Sequence, residues 1–262
     1  MGTEPVTRTE QTRRSKRQGT SLFGLRDTED RFERIEIALA EMGGVVESQL
    51  ADAITAFARR DVRLAYEVAR RDALTDAHER LVADEVSAVL EGRRLTAAQV
   101  RRALSSLKIA AEMERAGDLA KNVAKRTRVI AEIDPQGRTR AAAAPVERMG
   151  QAALGQLSAG LDALFRRDPV AAHAVRDADD QVDDLYNAVF AEVLAAMADD
   201  AALSAVGTHL LFAAKNLERI GDHATNIAER VHYAVTGEEI EEDRPKTDAT
   251  SAARRAVGYP AE

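Results

Sequence analysis

Apolar residues recur at helical spacing along most of the chain, and the last long segment shows the pattern best. Between residues 201 and 236 the apolar positions lie three or four residues, or about two helical turns, apart, at Leu203, Val206, Leu210, Leu217, Ile220, Ala224, Ile227 and Val231. This period places one apolar face of an α-helix against its neighbours. The same pattern predicts six long helices, near 28–59, 62–91, 96–132, 142–166, 169–198 and 201–236. No strand pattern of useful length is present, so the sequence predicts an all-α fold.

Local chemistry predicts where these helices begin and end. Asp61 and Asp168 are good N-caps, and Pro169 suits the first position of a helix. Thr96 can cap the next helix, and the segment 134–137 (Asp-Pro-Gln-Gly) is the strongest break in the chain. Long helices joined by short turns run antiparallel, so each side of this break is expected to form a three-helix bundle.

The two bundles are internal repeats. A shift of 107 residues, from 42 to 149, superimposes three features of the first half on the second: Met42–Gly43 on Met149–Gly150, Arg60–Asp61 on Arg167–Asp168, and Asp72 and Asp76 on Asp179 and Asp183. A shift of 104, from 114 to 218, superimposes residues 114–118 (Glu-Arg-Ala-Gly-Asp) on 218–222 (Glu-Arg-Ile-Gly-Asp), together with Asn122 on Asn226 and Arg126 on Arg230. An ordered series of matches of this kind indicates duplication.

The repeats divide the chain into four parts. Residues 27–133 and 140–237 are predicted to form the first and second three-helix units. Residues 1–26 carry six basic and two acidic residues with almost no large apolar residue before Leu22. This composition predicts a disordered basic arm, and residues 238–262 are predicted to form a disordered polar tail.

Composition excludes several classes of protein. The chain is 45% hydrophobic but only 4% aromatic, so alanine, leucine, valine and isoleucine must build its core. The net charge of −7 disfavours direct nucleic-acid binding. The absence of cysteine excludes disulfides and thiolate metal sites. No membrane-spanning segment or signal peptide is apparent, which indicates a cytoplasmic protein.

The repeated feature with chemical content is a pair of carboxylates four residues apart, present twice in each half. Such residues lie on one face of a helix, where their like charges repel unless a cation or an arginine is near. If adjacent antiparallel helices bring two pairs together, four carboxylates form a hard-oxygen site suited to Mg²⁺, Ca²⁺, Mn²⁺ or iron. The eight candidate ligands are Asp72, Asp76, Glu114, Asp118, Asp179, Asp183, Glu218 and Asp222.

Two simpler interpretations compete with metal binding. Acidic pairs are common on helices of a chain with 44 acidic residues, and they often only face water. Alternatively, Arg115 and Arg219, which lie inside the repeated motif, can neutralise the carboxylates as salt bridges.

Other repeated residues surround the acidic motif. Gly117 and Gly221 stand in the interior of predicted helices, where glycine is unfavourable, so they indicate a close approach by another helix or by a ligand. Asn122 and Asn226 can add carbonyl oxygens to a cation site, and His223 follows one of the carboxylates directly.

The residues 215–222 (Lys-Asn-Leu-Glu-Arg-Ile-Gly-Asp) resemble the signature of the PhoU family of phosphate-signalling regulators. The segment 114–118 resembles the same signature, with Ala116 in place of the isoleucine, and Met42–Gly43 with Asp72 and Asp76 matches the earlier part of the repeat. The resemblance extends from about residue 28 to 236, most of the chain.

The resemblance implies a fold and a function beyond what spacing indicates. Proteins of this family form two three-helix bundles related by pseudo-twofold symmetry, and they are commonly homodimers. They are non-enzymatic negative regulators of phosphate uptake and phosphate-starvation signalling. Their expected partners are the ATPase subunit of the phosphate ABC transporter and a sensor histidine kinase. Contact with the membrane is expected only through these partners.

Some family members bind iron, manganese, magnesium or zinc through acidic motifs. Carried onto this chain, that property falls on the eight carboxylates named above. Two other functions remain open at the level of sequence, a divalent-metal-dependent phosphatase and an accessory subunit of an ion-coupled phosphate permease. Neither a catalytic motif nor a phosphate-binding loop supports catalysis.

Overall fold

The computed structural model describes the backbone of residues 8–91 and 95–240, and the side chains of these ranges from residue 28 onward. Within these ranges the chain consists of α-helices and one short 3-10 turn, without any strand. The predicted all-α fold of two three-helix units is therefore confirmed. Residues 1–7 and 241–262, which belong to the predicted disordered ends, lie outside the described residues.

The first helix begins earlier than the apolar pattern predicts. Helix α1 spans Arg8–Arg59, whereas the predicted start lies near residue 28 and the predicted disordered arm covers 1–26. Sequence composition permits the longer helix, because no proline occurs between Pro5 and Pro135 and residues 8–18 consist largely of polar helix formers. The apolar stripe indicates α1 only from about residue 28 onward.

The other two helices of the first half begin at the predicted caps. Helix α2 spans Val62–Leu90, and its N-cap Asp61 accepts a hydrogen bond from the amide of Leu64. Helix α3 spans Ala97–Ile133 and begins with a capping box, in which the Thr96 hydroxyl accepts from the Gln99 amide and the Gln99 side chain accepts in return. These caps satisfy amides that a helix leaves without partners at its start.

The second half departs from the prediction at its middle helix. Helix α4 spans Arg140–Arg166, α5 Pro169–Asp177, α6 Asp180–Asp199 and α7 Ser204–Thr236, with a 3-10 turn at Ala201–Leu203. The single helix predicted over 169–198 is interrupted at residues 178–179, where the amides of Asp179, Gln181 and Val182 bond three residues back instead of four. This tighter turn coincides with Asp179, whose carboxylate is hydrogen-bonded to side chains from other helices.

The repeated Arg–Asp turns have the same backbone conformation in both halves. Arg60 and Arg167 adopt left-handed φ angles of 56° and 50°, and the aspartate that follows each of them caps the next helix. A residue other than glycine in this region is uncommon. Arg60 is held there by the buried carboxylate of Asp134, which its Nη1 approaches to 2.9 Å.

The repeated Met–Gly pairs lie where α1 crosses α4. A Cβ atom on Gly43 would lie 3.0 Å from the Phe165 ring and 3.3 Å from Leu161, and one on Gly150 would lie 3.0 Å from Ile54. Leu161 and Ile54 are themselves related by the shift of 107 residues, from 54 to 161. The two halves therefore bury the same contact reciprocally, and the glycines allow the close approach.

Helices α3 and α7 form the centre of the molecule. They pack against each other along their length, α3 also contacts α1 and α2, and α7 also contacts α4, α5 and α6. The stripe predicted on α7 is buried from Val206 to Val231, whereas Leu203 lies in the 3-10 turn and is only partly buried. Among the described residues, no helix is long and apolar enough to span a bilayer.

Candidate functional site

The four carboxylates of the first half come together on the adjoining faces of α2 and α3. The pKa of Glu114 is raised by partial burial and then by the negative charges of Asp118, Glu79, Asp76 and Asp72. The convergence expected from the spacing is therefore found, and Glu79 is an additional acidic neighbour that the repeat did not indicate. Such a cluster is unfavourable unless positive charge compensates it.

Lys121 compensates the first-half cluster. Its Nζ donates to Asp72 Oδ2 at 2.5 Å and to Asp118 Oδ1 at 2.7 Å, and thus bridges α2 and α3. The hydrogen bond from Lys121 lowers the pKa of Asp118. Partial burial alone would lower the pKa of Lys121, but its bonds to the two aspartates outweigh burial and raise it.

The arginine predicted to neutralise these pairs has a different partner. Arg115 Nη1 lies 2.9 Å from Glu112 Oε1, one turn earlier on α3. An α-helix places a residue at i+1 about 100° around its axis from residue i, so Arg115 faces away from Glu114. Lys121, three residues after Asp118, lies on the acidic face instead.

Two neutral side chains donate hydrogen bonds to the first aspartate of the second half. Asp179 Oδ1 accepts from the Thr225 hydroxyl at 2.6 Å and from Gln156 Nε2 at 3.1 Å. Thr225 occupies the position of Lys121 after the shift of 104 residues, from 121 to 225. A hydroxyl therefore stands where the first half places an ammonium group, and it brings no positive charge.

The remaining carboxylates of the second half are less compensated. Partial burial, followed by the charges of Glu218, Asp179 and Asp222, raises the pKa of Asp183 to about 6. The nearby cation is Lys215, whose Nζ lies 2.6 Å from Glu218 Oε1. The other oxygen of Glu218, Oε2, is buried without a hydrogen-bond partner among the described residues.

Two buried glutamines complete the repeated motif and were missed at the level of sequence. Gln49 on α1 and Gln156 on α4 are related by the shift of 107 residues, from 49 to 156, which is the signal that could have found them. Their Oε1 atoms would lie 3.2 Å and 2.9 Å from a Cβ atom on Gly117 and Gly221, respectively. The close approach predicted from these glycines is thus made by a side chain of a neighbouring helix.

His223 and Asn226 connect the two halves. His223 Nδ1 lies 2.6 Å from Glu112 Oε2 on α3, and Asn226 Nδ2 donates to the same oxygen at 3.1 Å. Burial alone would raise the pKa of Glu112, but these two partners lower it. His223 and Asn226 are therefore occupied at the interface of α3 with α7, and Asn122 accepts from Lys125 at 3.2 Å.

The structure thus brings each predicted set of four carboxylates to one surface, with different compensation in the two halves. Among the described side chains, no three histidine, aspartate or glutamate residues have the arrangement of a metal site. The second-half set combines hard oxygen donors, a Glu218 oxygen that is buried without a partner among the described residues, and an Asp183 whose pKa is raised by burial and by its acidic neighbours. The first-half set already contains a bridging ammonium group.

Comparison with known proteins shows what this duplicated architecture is similar to. The model of the PhoU domain family matches residues 39–127 and, a second time, residues 146–231. A phosphate-specific transport system accessory protein PhoU homologue from Caulobacter vibrioides is 44% identical over 81% of this chain and 91% of its own length. A protein of the same description from Rhizobium meliloti is 40% identical over 81% of this chain and 89% of its own length.

Solved structures agree with the domain matches. The crystal structure of PhoU from Pseudomonas aeruginosa superimposes with a TM-score of 0.76 at 32% identity, over 80% of this chain and 99% of that one. The phosphate transport system regulatory protein PhoU from Streptococcus pneumoniae superimposes with a TM-score of 0.72 at 22% identity, over 82% of this chain and all of that one. At this identity the likeness is evidence for the fold alone. The descriptions of the relatives from Caulobacter vibrioides and Rhizobium meliloti name an accessory role in phosphate-specific transport.

Proposed function

Because the chain belongs to the PhoU family, we propose that it is an accessory protein of a phosphate-specific transport system. The observation that carries this proposal is the domain matched twice along the chain, since each copy includes a complete set of four carboxylates on adjacent helices. The relatives named for this role align over most of their own length, so the likeness includes both halves.

Within that role, the chain acts as a cytoplasmic adaptor and negative regulator. It contacts the ATPase subunit of the phosphate ABC transporter and a phosphate-responsive sensor histidine kinase, because a protein that bridges these two is the simplest arrangement that links uptake to signalling. When phosphate is plentiful, these contacts hold the kinase in its inhibitory state and restrain uptake. A homodimer is part of the proposal. Support comes from the helical outer faces, which leave large apolar side chains such as Leu81 and Phe212 about half exposed.

Deletion of the gene tests the regulatory role. We expect phosphate-responsive transcription to rise in phosphate-replete medium and to return to its low level when the gene is restored on a plasmid. Transcription that stays unchanged on deletion would refute negative regulation. Co-purification of the chain with the transporter ATPase or with a permease separates the two transport-linked roles.

A metal ion belongs to the proposal at the second-half set. Asp183, Glu218 and Asp222, with Asp179 beside them, would hold a divalent or trivalent cation such as Mg²⁺, Mn²⁺, Zn²⁺ or iron. The cation would supply the positive charge that Lys215 supplies only in part. In the first half, Asp72 and Asp118 bond the ammonium group of Lys121 beside Asp76 and Glu114, so this set of four has less need of a cation.

Matched variants of the two halves test the metal proposal. We expect protein purified without chelator to contain metal, Asp222→Asn to reduce the metal content per chain, and the equivalent Asp118→Asn to leave it unchanged. Elemental analysis by mass spectrometry measures the content directly. Equal content in all three proteins would remove these carboxylates as ligands, and an equal loss in both variants would assign metal to both halves.

A further inference from the structure

An apolar groove opens at one end of the molecule, between the two halves. It has a volume of about 660 Å³ and is lined by α1 and α3 of the first half and by the C-terminal ends of α4 and α7 of the second. Leu39, Ile109 and Val231 are buried beneath it. On its rim, Ile37 is 53% and Phe165 is 47% exposed. The groove is thus a concave apolar surface with large uncovered side chains, distinct from the acidic faces.

The groove also contains an uncompensated positive charge. Five charged side chains line it, the arginines Arg101, Arg102 and Arg167 and the carboxylates Glu33 and Glu36, which leaves one positive charge in excess. Arg102 pairs with Glu36 at 2.6 Å and also approaches Glu29 at 3.6 Å, and Arg167 pairs with Glu36. Arg101 has no hydrogen bond or ion pair within the described part of the chain, and its Nε is buried without a partner.

The surroundings of Arg101 hold its guanidinium in place. A Cβ atom on Gly237, just after the end of α7, would lie 2.9 Å from Arg101 Cζ, so the guanidinium is packed against this glycine. Ala98 and Gln99 from the first turn of α3 also line the groove, and a helix N-terminus carries partial positive charge. Both features favour a carboxylate at this point of the groove.

We infer that this groove binds an acidic amphipathic helix of the transporter partner, with the apolar face of that helix against Ile37 and Phe165 and a carboxylate on Arg101. A helix is the occupant that fits, because the groove is formed by helices and the described residues offer no strand edge for an extended peptide to join. The inference rests on the proposed function, since the partner is a component of the phosphate transport system.

Binding of the purified full chain to the purified ATPase subunit of the phosphate transporter from the same organism tests this assignment. We expect Ile37→Glu and Arg101→Glu each to weaken binding about tenfold or more, as changes at the centre of an interface do. Leu74→Glu is the matched control, because Leu74 is also 53% exposed but lies on α2 outside the groove. Arg63→Glu, a highly exposed arginine elsewhere on α2, controls for charge reversal. Both controls should stay within roughly twofold of the unchanged chain.

A photoreactive side chain placed at Ile37 identifies the occupant. We expect it to cross-link an acidic helical segment of the ATPase, and a cross-link to a basic or extended segment would overturn the inference. Groove variants that bind as well as the unchanged chain would overturn it while the proposed function stands. Failure of the unchanged chain to bind the ATPase would instead remove the proposed transporter contact, and this inference with it.

Self-association is measured with the same variants by sedimentation. If the Ile37→Glu variant has the same oligomer mass as the unchanged chain, the groove does not form a contact between copies, as the inference expects. A mass that falls from dimer to monomer would show that a second copy of the chain covers the groove, and would overturn the assignment.

Discussion

Replacing Asp183 by asparagine should stabilise the chain at neutral and higher pH. Asp183 is partly buried beside Glu218, Asp179 and Asp222, and its pKa is raised from 3.8 to about 6. Asparagine keeps nearly the same shape and removes the charge. The folded variant therefore lacks the negative charge that burial and the three neighbouring carboxylates make unfavourable.

The expected gain can be worked from the pKa. A rise of about two pKa units corresponds to at most about 3 kcal/mol. Because Asp183 is only partly buried, solvent screens the repulsion, and its place in the first turn of α6 favours a negative charge. We therefore expect Asp183→Asn to raise the free energy of unfolding by about 1 kcal/mol.

The sign of the pH dependence follows from linkage. Between about pH 4 and about pH 6 the folded state binds the proton of Asp183 and the unfolded state releases it, so the contribution of this group to stability falls as the pH rises through this window. Above about pH 6, the contribution of Asp183 to stability no longer changes with pH. The advantage of the asparagine variant should thus be near zero at about pH 4 and reach its full value by about pH 7.

Urea unfolding in the presence of a chelator measures the effect without interference from bound cations. Asp180→Asn is the control, because Asp180 also lies in the first turn of α6 but is exposed. A gain for Asp183→Asn that is absent at high pH, or equally large at low pH, would refute the reasoning from burial and repulsion. A gain of equal size in Asp180→Asn would assign the effect to general surface charge.

Four further substitutions probe other parts of the structure by urea unfolding. Gly221→Ala should destabilise the chain by about 1–2 kcal/mol, because the added Cβ atom would lie 2.9 Å from Gln156 Oε1. Gly117→Ala should be nearly neutral, because the distance to Gln49 Oε1 is 3.2 Å. Equal effects of the two substitutions would contradict this reasoning. Asp134→Ala should cost about 3 kcal/mol, since it leaves a buried arginine and threonine without their partner. Hydrogen bonds from that threonine lower the pKa of Asp134, so the stability it contributes is present at neutral pH and is lost on acidification below about pH 4; a pH-independent cost would refute this. Lys121→Met should cost about 1 kcal/mol at low salt and less at high salt, and a cost that does not change with salt would exclude the charge interaction as its cause.

The helix ends were predictable where their causes are local. Asp61, Thr96 and Asp168 begin helices at or within a residue of the predicted positions, because capping needs only a side chain and the next three amides. The interruption at residues 178–179 was not predictable from neighbours. Its aspartate is bonded to Thr225, which lies on α7 and is distant in sequence.

The candidate site was predictable as a set of residues and not as an electrostatic arrangement. Repetition of the carboxylates identified which side chains share a surface. Which side chain supplies the positive charge depends on whether it extends from one helix to the next. Lys121 contacts Asp72 and Asp118 on two helices, whereas Arg115 pairs with Glu112 on its own helix. The apolar groove depends on how α1 passes the start of α3 and the ends of α4 and α7, and no local sequence pattern predicts that.

The two halves keep the same packing but compensate their acidic faces differently, and the reason is physical. Gly43 and Gly150 occupy tight contacts where an added Cβ atom would lie 3.0 Å from a neighbouring side chain, so the same residue recurs. Charge can be balanced from several directions by long side chains. Lys121 on α3 serves the first half, and Lys215, one turn before the motif on α7, serves the second. Lys121 bonds carboxylates of both helices, whereas Lys215 bonds Glu218 on its own helix and meets α6 through the ring of Tyr186. Within the described part of the chain Asp183 on α6 therefore has no ammonium partner, and the proposed cation would act there.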